Sequence, residues 1–327
     1  MGICDSANNE NRRNRRQSNV TENKETASKN DSIAKTGTSS SNHSKQKEFI
    51  LPEKFTIHSD IREKYSLATE FLGQGASGTV FEATDKEGKK YAIKSINKFA
   101  LENVDDLVNE AEISINISHP HIIKYYEIYE DLKTVSFVMD LVEGGDLYDF
   151  ILKSPEGKLD DSVALDLTVQ ILETLDYLHN EKGICHRDIK PENFLVQIED
   201  SKPQIKLIDF GFATFINPDV PLTGYMGTPI YMAPEILSKE PYSEKIDLWA
   251  VGIILFNMLT GCQPFRTHST TPIEDQVINE TIYLNGIENE RLRNLCMNLL
   301  EKDALQRFST KRALSYAYDI REKMNKM

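Results

Sequence analysis

Cysteine and tryptophan are scarce in this chain, 4 and 1 among 327 residues. Cys4, Cys185, Cys262 and Cys296 are scattered and form no C-x-x-C pair, which excludes a cysteine zinc site and fits a reducing compartment. His119-Pro120-His121 is the remaining metal-like pattern, but no further ligands sit near it in sequence and a loop is expected there. Long hydrophobic runs are also missing. The most apolar stretch, residues 249–259, contains Asn257 and is too short to span a bilayer. The first residues lack the apolar core of a signal peptide. Between Asp5 and Lys47 aliphatic residues nearly vanish, so disorder is expected for a tail over residues 1–60. Positive charge is scarce outside that tail. Residues 1–54 carry 10 Lys/Arg against 7 Asp/Glu, which leaves the rest of the chain at −16 of the net −13. An acidic body argues against nucleic acid as a partner and suits basic protein partners. What remains, 39% hydrophobic and 9% aromatic residues, is ordinary for a soluble globular domain.

The tail does contain one specific signal. Met1-Gly2-Ile3-Cys4-Asp5-Ser6 matches the N-myristoylation pattern, with Gly2 as acceptor. Cys4 is a candidate for a second acyl chain, and Arg12, Arg13, Arg15 and Arg16 form a basic patch suited to an anionic membrane surface. The same arginines also read as a solvated run or a nuclear signal. The expectation is a cytoplasmic protein associated with membrane through its N-terminus.

The strongest chemistry lies at residues 184–195, Ile-Cys-His-Arg-Asp-Ile-Lys-Pro-Glu-Asn-Phe-Leu. Apolar ends anchor a polar centre holding an acid (Asp188), a lysine (Lys190) and an amide (Asn193). A second apolar run, residues 205–208, delivers Asp209-Phe210-Gly211. Two carboxylates, an amide and a lysine on rigid supports suit phosphoryl transfer, in which positioning and charge stabilisation dominate. Asp188 would take the proton of an attacking hydroxyl, while Asp209 and Asn193 would offer oxygens to Mg²⁺.

Upstream, Leu72-Gly73-Gln74-Gly75-Ala76-Ser77-Gly78-Thr79-Val80 is glycine-rich. A dinucleotide fold would need a helix directly after the glycines and an acid about 20 residues on. Residues 80–84 instead read as a strand, then Asp85 to Gly88 as a turn, giving a strand–glycine loop–strand hairpin. Glycines at such a loop let backbone N–H groups approach phosphate oxygens closely.

His186-Arg187-Asp188-Ile189-Lys190-Pro191-Glu192-Asn193, followed by Asp209-Phe210-Gly211, resembles the catalytic and magnesium loops of eukaryotic protein kinases. The Lys-Pro-Glu form is similar to the serine/threonine kinases. Several features are closest to the calmodulin-dependent and calcium-dependent protein kinases: a Met-Gly-x-Cys start, Glu143-Gly144-Gly145-Asp146-Leu147-Tyr148-Asp149, and Asp188 to Asn193. The resemblance implies an α+β fold of two lobes over residues 65–320. A small, mainly antiparallel β lobe with one helix would occupy 65–139, a hinge 140–145, and a larger, mainly helical lobe 146–320. It implies ATP and Mg²⁺ as cofactors and protein serine or threonine hydroxyls as substrates.

Residue roles follow from the same resemblance. Leu72, Gly73, Gly75, Gly78, Val80, Ala92 and Leu195 would enclose ATP, with Met139 as gatekeeper and the Asp140 carbonyl and Val142 amide on the adenine edge. Tyr91-Ala92-Ile93-Lys94 matches the Ala-x-Lys strand, so Lys94 would pair the phosphates. A glutamate on the following helix must orient it; Glu110 has the kinase spacing, and Glu112 is the other candidate. Asp146 and Glu192 match acids that read an arginine three residues before the acceptor, although Asp146 would also suit the ATP ribose. Asn257 stands where strongly basophilic kinases carry a further glutamate. Gly227 and Thr228 belong to the substrate-docking segment, Glu235 would pair Arg307, and Asp247 would support the catalytic loop. Arg187 would receive a phosphate on the activation loop, for which Thr223 is the available acceptor. Two departures from the group stand out: no D-x-[DN]-x-[DN]-G calcium loop is present, and Tyr316-Ala317-Tyr318 replaces its His-Pro-Trp. With the chain ending at Met327, direct calcium control is not expected.

Overall fold

The computed structural model describes residues 51, 56–75, 78–101, 103–265 and 270–326. Gly2, Cys4 and the arginine patch lie outside the described residues. In the small lobe, β1 (Tyr65–Gly75), β2 (Gly78–Asp85), β3 (Lys90–Asn97), β4 (Tyr125–Glu130) and β5 (Thr134–Asp140) form an antiparallel sheet of order β1-β2-β3-β5-β4. Its strands are rich in Tyr, Val and Ile, which suit a pleated, half-buried surface. Tyr65, Ala83, Tyr91, Ile93, Tyr129 and Val138 pack as one buried cluster on a face of the sheet. Aspartates make the hairpin turns: Asp85 Oδ1 accepts from the Glu87 and Lys89 amides, and Asp131 Oδ1 from those of Lys133 and Thr134.

Helix α1 (Val104–Asn116) crosses between β3 and β4. The Asn103 side chain caps its start by accepting from the Asp105 amide. Leu107, Ala111 and Ser114, spaced four and then three residues apart, are buried together, and Glu110 is buried beside them.

The large lobe begins with α2 (Leu147–Lys153) and α3 (Asp161–Asp176). After α3 the backbone widens into a π turn (Tyr177–Lys182), which closes at Gly183 in the left-handed region, φ 64°. Short strands follow: β6 (Ile184–Cys185), β7 (Phe194–Glu199), β8 (Lys202–Leu207) and β9 (Thr214–Phe215). Helices α4 (Pro234–Leu237), α5 (Lys245–Thr260), α6 (Ile273–Asn279), α7 (Glu290–Leu299) and α8 (Thr310–Met324) complete the lobe. Every residue of α5 from Ile246 to Leu259 is buried, most of them apolar, so this helix forms the centre of the lobe. Helices α3 and α7 pack on it, and α8 packs on α3. No helix among the described residues is long and apolar enough to cross a membrane.

Strand β4 starts only at Tyr125, because Ile122 before it pairs with Leu207 of the large lobe. One boundary differs from expectation. The tail expected to reach residue 60 gives Leu51 and Ile57 to the small lobe. Leu51 is buried with its amide on Glu130 Oε2, and Ile57 bridges to Tyr129.

Candidate active site

Lys94 sits on the central strand β3, opposite Phe137 of β5, and is 5% exposed. Its Nζ donates to Glu110 Oε1 at 2.6 Å and to Asp209 Oδ1 at 2.9 Å. Burial alone would discharge this amine, but the Glu110 and Asp209 carboxylates outweigh that cost and hold Lys94 above the ordinary lysine range. Burial likewise works against Asp209; Lys94 and the Gly211 amide overcome it and pull the carboxyl down to about 2. Between Glu110 and Glu112, the structure selects Glu110.

The second cluster lies on the loop between β6 and β7. Asp188, 7% exposed, accepts from Lys190 Nζ at 2.6 Å and Asn193 Nδ2 at 3.2 Å through Oδ2. Its Oδ1 accepts from the Thr228 hydroxyl at 3.0 Å, and Thr228 Oγ1 in turn accepts from Lys190 Nζ at 3.0 Å. Asn193 Nδ2 also donates to the Asp188 carbonyl at 2.8 Å, so Asn193 Oδ1 is turned the other way.

This loop takes its shape from α5. The Asp247 carboxylate accepts the His186 amide at 2.8 Å and the Arg187 amide at 2.9 Å. Directing both amides at one carboxylate places Arg187 at φ 67°, a left-handed conformation that only a rigid surrounding sustains in a non-glycine residue. His179 of the π turn lies 2.9 Å from Asp247 Oδ2 through Nε2 and 2.8 Å from Thr310 Oγ1 through Nδ1. Burial opposes the Asp247 charge, yet these bonds keep its carboxyl below the usual range. Sequence reasoning missed His179; its one signal is an ionisable residue at the end of an otherwise apolar helical run.

Residues 67–318 match the family described as protein kinase domain. The chain belongs to that family. Identity is 36% over 270 residues with calcium-dependent protein kinase 3 of Plasmodium berghei (strain Anka), covering 81% of this chain and 48% of that protein. It is 34% over 266 residues with calcium/calmodulin-dependent protein kinase type 1 of Macrobrachium nipponense, covering 79% of this chain and 75% of that protein. Calcium-dependent protein kinase 25 of Arabidopsis thaliana is 34% identical over 289 residues, with 86% and 54% covered. These similarities place the chain in the calcium-dependent and calmodulin-dependent kinase group. It spans about half the length of the calcium-dependent relatives named here.

Gly78 takes φ 126°, and a Cβ there would meet the Ser95 carbonyl oxygen at 2.6 Å, so this corner of the glycine loop admits only glycine. Val80 and Ala92 face their partners Lys94 and Met139 across the sheet. Leu195 bridges to Asp146, whose Oδ1 caps α2 by accepting from the Asp149 amide at 2.7 Å. Leu72 is 54% exposed. Asp140 ends β5 with its amide on the Lys124 carbonyl, and Val142 follows outside any regular element. Glu192 lies near the Tyr231 phenol.

Glu235 and Arg307 form a two-pronged buried pair, 2.7 and 3.0 Å, with the guanidinium also over the Trp249 ring at 5.3 Å. The other Arg307 N–H groups reach the Lys245, Glu301 and Lys302 carbonyls, so no donor of this buried cation is wasted. On the activation segment, Arg187 Nε donates to the Phe212 carbonyl at 2.6 Å. Leu222 and Tyr242 pair through both backbone bonds, and the Tyr242 hydroxyl donates to the Thr223 carbonyl at 3.1 Å. The Thr223 side chain is exposed.

Proposed function

We propose that the chain transfers the terminal phosphoryl group of ATP to serine or threonine hydroxyls of proteins. The observation that carries this reading is the Asp188 carboxylate, held by Lys190, Asn193 and Thr228 on a loop that Asp247 pins. Asp188 accepts the proton of the attacking hydroxyl as that oxygen bonds to the γ-phosphorus and the bond to the β-phosphate oxygen breaks. Lys190, already bridging Asp188 and Thr228, brings positive charge to the transferring group. Lys94, kept cationic by Glu110 and Asp209, serves the phosphates. Asp209, ionised down to about pH 2, and the outward Asn193 Oδ1 suit Mg²⁺ as hard oxygen donors. When bound, the ion would neutralise phosphate charge.

Val80, Ala92, Met139 and Leu195 would line the adenine site, with Asp140 and Val142 on its edge. The acidic body, with Asp146 and Glu192 beside the catalytic loop, supports a preference for a basic residue three positions before the acceptor. Gly227 and Thr228 would form the docking segment. Phosphorylation of Thr223, read by Arg187, would tighten that segment. Gly2 and Cys4, acylated, with the nearby arginines would tether the enzyme to anionic membrane.

The test is phosphate transfer to serine peptides with and without an upstream arginine. Wild type should prefer arginine at the third position, and Asp188→Asn should lower turnover by about 10²–10⁴-fold while ATP binding is retained. Lys94→Met should be inactive as well. Full activity in both variants would refute the assignment.

A further inference from the structure

Strand β4 carries a buried phenol that the reaction above does not use. Tyr125 is 8% exposed, and burial lifts its ionisation far above the ordinary phenol range, so it is a neutral O–H donor. That hydroxyl donates to the Ile208 carbonyl oxygen at 2.7 Å. Ile208 immediately precedes Asp209, and the β7–β8 ladder has already ended at Leu207, so this carbonyl lies beyond the sheet. On its other side, the Ile208 amide donates to the Asn193 carbonyl at 3.0 Å. One residue is therefore gripped by the catalytic loop through its N–H and by a small-lobe strand through its C=O.

The surroundings keep the phenol in place. Its ring stands edge-on to Phe137 at 6.2 Å and to Phe210 at 6.5 Å. Phe210 follows Asp209 and packs against His186 of the catalytic loop at 5.3 Å. From α1, the buried Ser114 hydroxyl sits beside the phenol oxygen, one helical turn after Glu110. The ring thus touches the residue after Asp209 and its hydroxyl bonds the residue before it.

We propose that Tyr125 is a positioning residue for Asp209. Its hydroxyl sets the backbone that presents Asp209 to magnesium and registers β4 against that strand. The proposal rests on the phosphotransfer reading. Filling the core requires only the ring, and phenylalanine would do that equally well; the hydrogen bond to Ile208 requires the oxygen.

The experiment uses the full chain as wild type, Tyr125→Phe and Tyr125→Leu. Phosphorylation of an arginine-containing serine peptide is followed as magnesium is titrated at fixed ATP, and amide hydrogen exchange is read over residues 207–211. In Tyr125→Phe the magnesium concentration for half-maximal rate should rise about three- to tenfold, the factor that one net hydrogen bond supplies. The KM for peptide should stay unchanged, and exchange at 209–211 should quicken by a similar factor. Tyr125→Leu should shift magnesium dependence in the same direction, with a lower melting temperature from the lost ring. Unchanged magnesium dependence and unchanged exchange in Tyr125→Phe would overturn the proposal. An inactive wild type would instead overturn the phosphotransfer reading, and the exchange measurement would still decide the role of Tyr125.

Discussion

The Lys94–Glu110–Asp209 cluster and the Asp188–Lys190–Thr228 cluster are built on opposite plans. In the first, three charges arrive from a strand, a helix and a loop, and the side chains hold one another across 16 and 115 residues of sequence. In the second, one short loop supplies Asp188, Lys190 and Asn193, and its backbone is bolted to Asp247 of the most deeply buried helix. The first arrangement survives only while α1 stays against β3; in the second, the Asp188–Lys190–Asn193 part survives as long as the large lobe is folded, and Thr228 joins it from further along the chain. Damage to Glu110 in the small-lobe cluster should therefore reduce activity more than stability, whereas damage near α5 should reduce both.

The largest expected effect lies at the base of the large lobe. Removing one partner of the Glu235–Arg307 pair strands a buried charge, which costs about 3–5 kcal/mol. Arg307→Ala and Glu235→Ala should each lower the melting temperature by roughly 6–15 °C at a few degrees per kcal/mol. The Glu235→Met, Arg307→Met double variant should recover much of that loss. A double variant as unstable as either single one would show that the two do not act as a pair.

Glu110→Gln comes next and sharpens the contrast. It removes a charged hydrogen bond worth about 1.5–3 kcal/mol, so kcat/KM should fall roughly 10- to 150-fold. Its melting temperature should stay within a few degrees of wild type, since Asp209 still faces Lys94. A melt collapsing as in Arg307→Ala would erase the distinction between the two clusters.

Acid probes the first cluster in a third way. The folded Asp209 carboxyl lies near 2, below its ordinary unfolded value of about 3.9. A depressed folded pKa gives stability that is fully present above about pH 4 and lost as pH falls through about 2. Wild type should thus exceed Asp209→Asn in melting temperature near neutrality, with the gap closing between about pH 4 and pH 2. A gap constant with pH would mean that the Lys94–Asp209 contact contributes nothing to folding.

The smallest effect is expected at Thr223. Tyr242 already secures the Thr223 carbonyl and the Leu222 backbone, so a phosphate adds to an ordered segment rather than creating it. Thr223→Ala should lower activity about two- to fivefold, in keeping with exposed charge pairs worth up to about 1 kcal/mol. A loss of a hundredfold would show that the segment depends on phosphate for its order.

The parts of this site that were legible in sequence are those in which chemistry and spacing coincide locally. Asp188, Lys190 and Asn193 fall within six residues, and Lys94 shares a strand with Ala92, so the pattern names the role. Glu110 required the family spacing, because Glu112 on the same helix is chemically identical. What stayed hidden depends on single polar residues meeting across long stretches of chain. His179 reaches Thr310 over 131 residues and Tyr125 reaches Ile208 over 83. Hydrophobic periodicity places such residues in the core but does not say which carbonyl or carboxylate they find there. Leu51 ends a short apolar triplet, Phe49-Ile50-Leu51, directly after a long polar tail, and so short a run does not announce a docking site far away in sequence.

Thr228 has a consequence for timing. Its hydroxyl donates to Asp188 and accepts from Lys190, yet it arrives on a different stretch of chain, 38 to 40 residues downstream. Gly227 makes that arrival feasible, because a Cβ there would meet the Arg187 carbonyl oxygen at 2.7 Å. The surroundings of the Asp188 carboxylate are thus assembled from two pieces of chain, like a circuit closed by a bridge. Without residues 227–228 the catalytic loop would still be held by Asp247, but Asp188 Oδ1 would lose its hydroxyl partner and Lys190 one of its two acceptors.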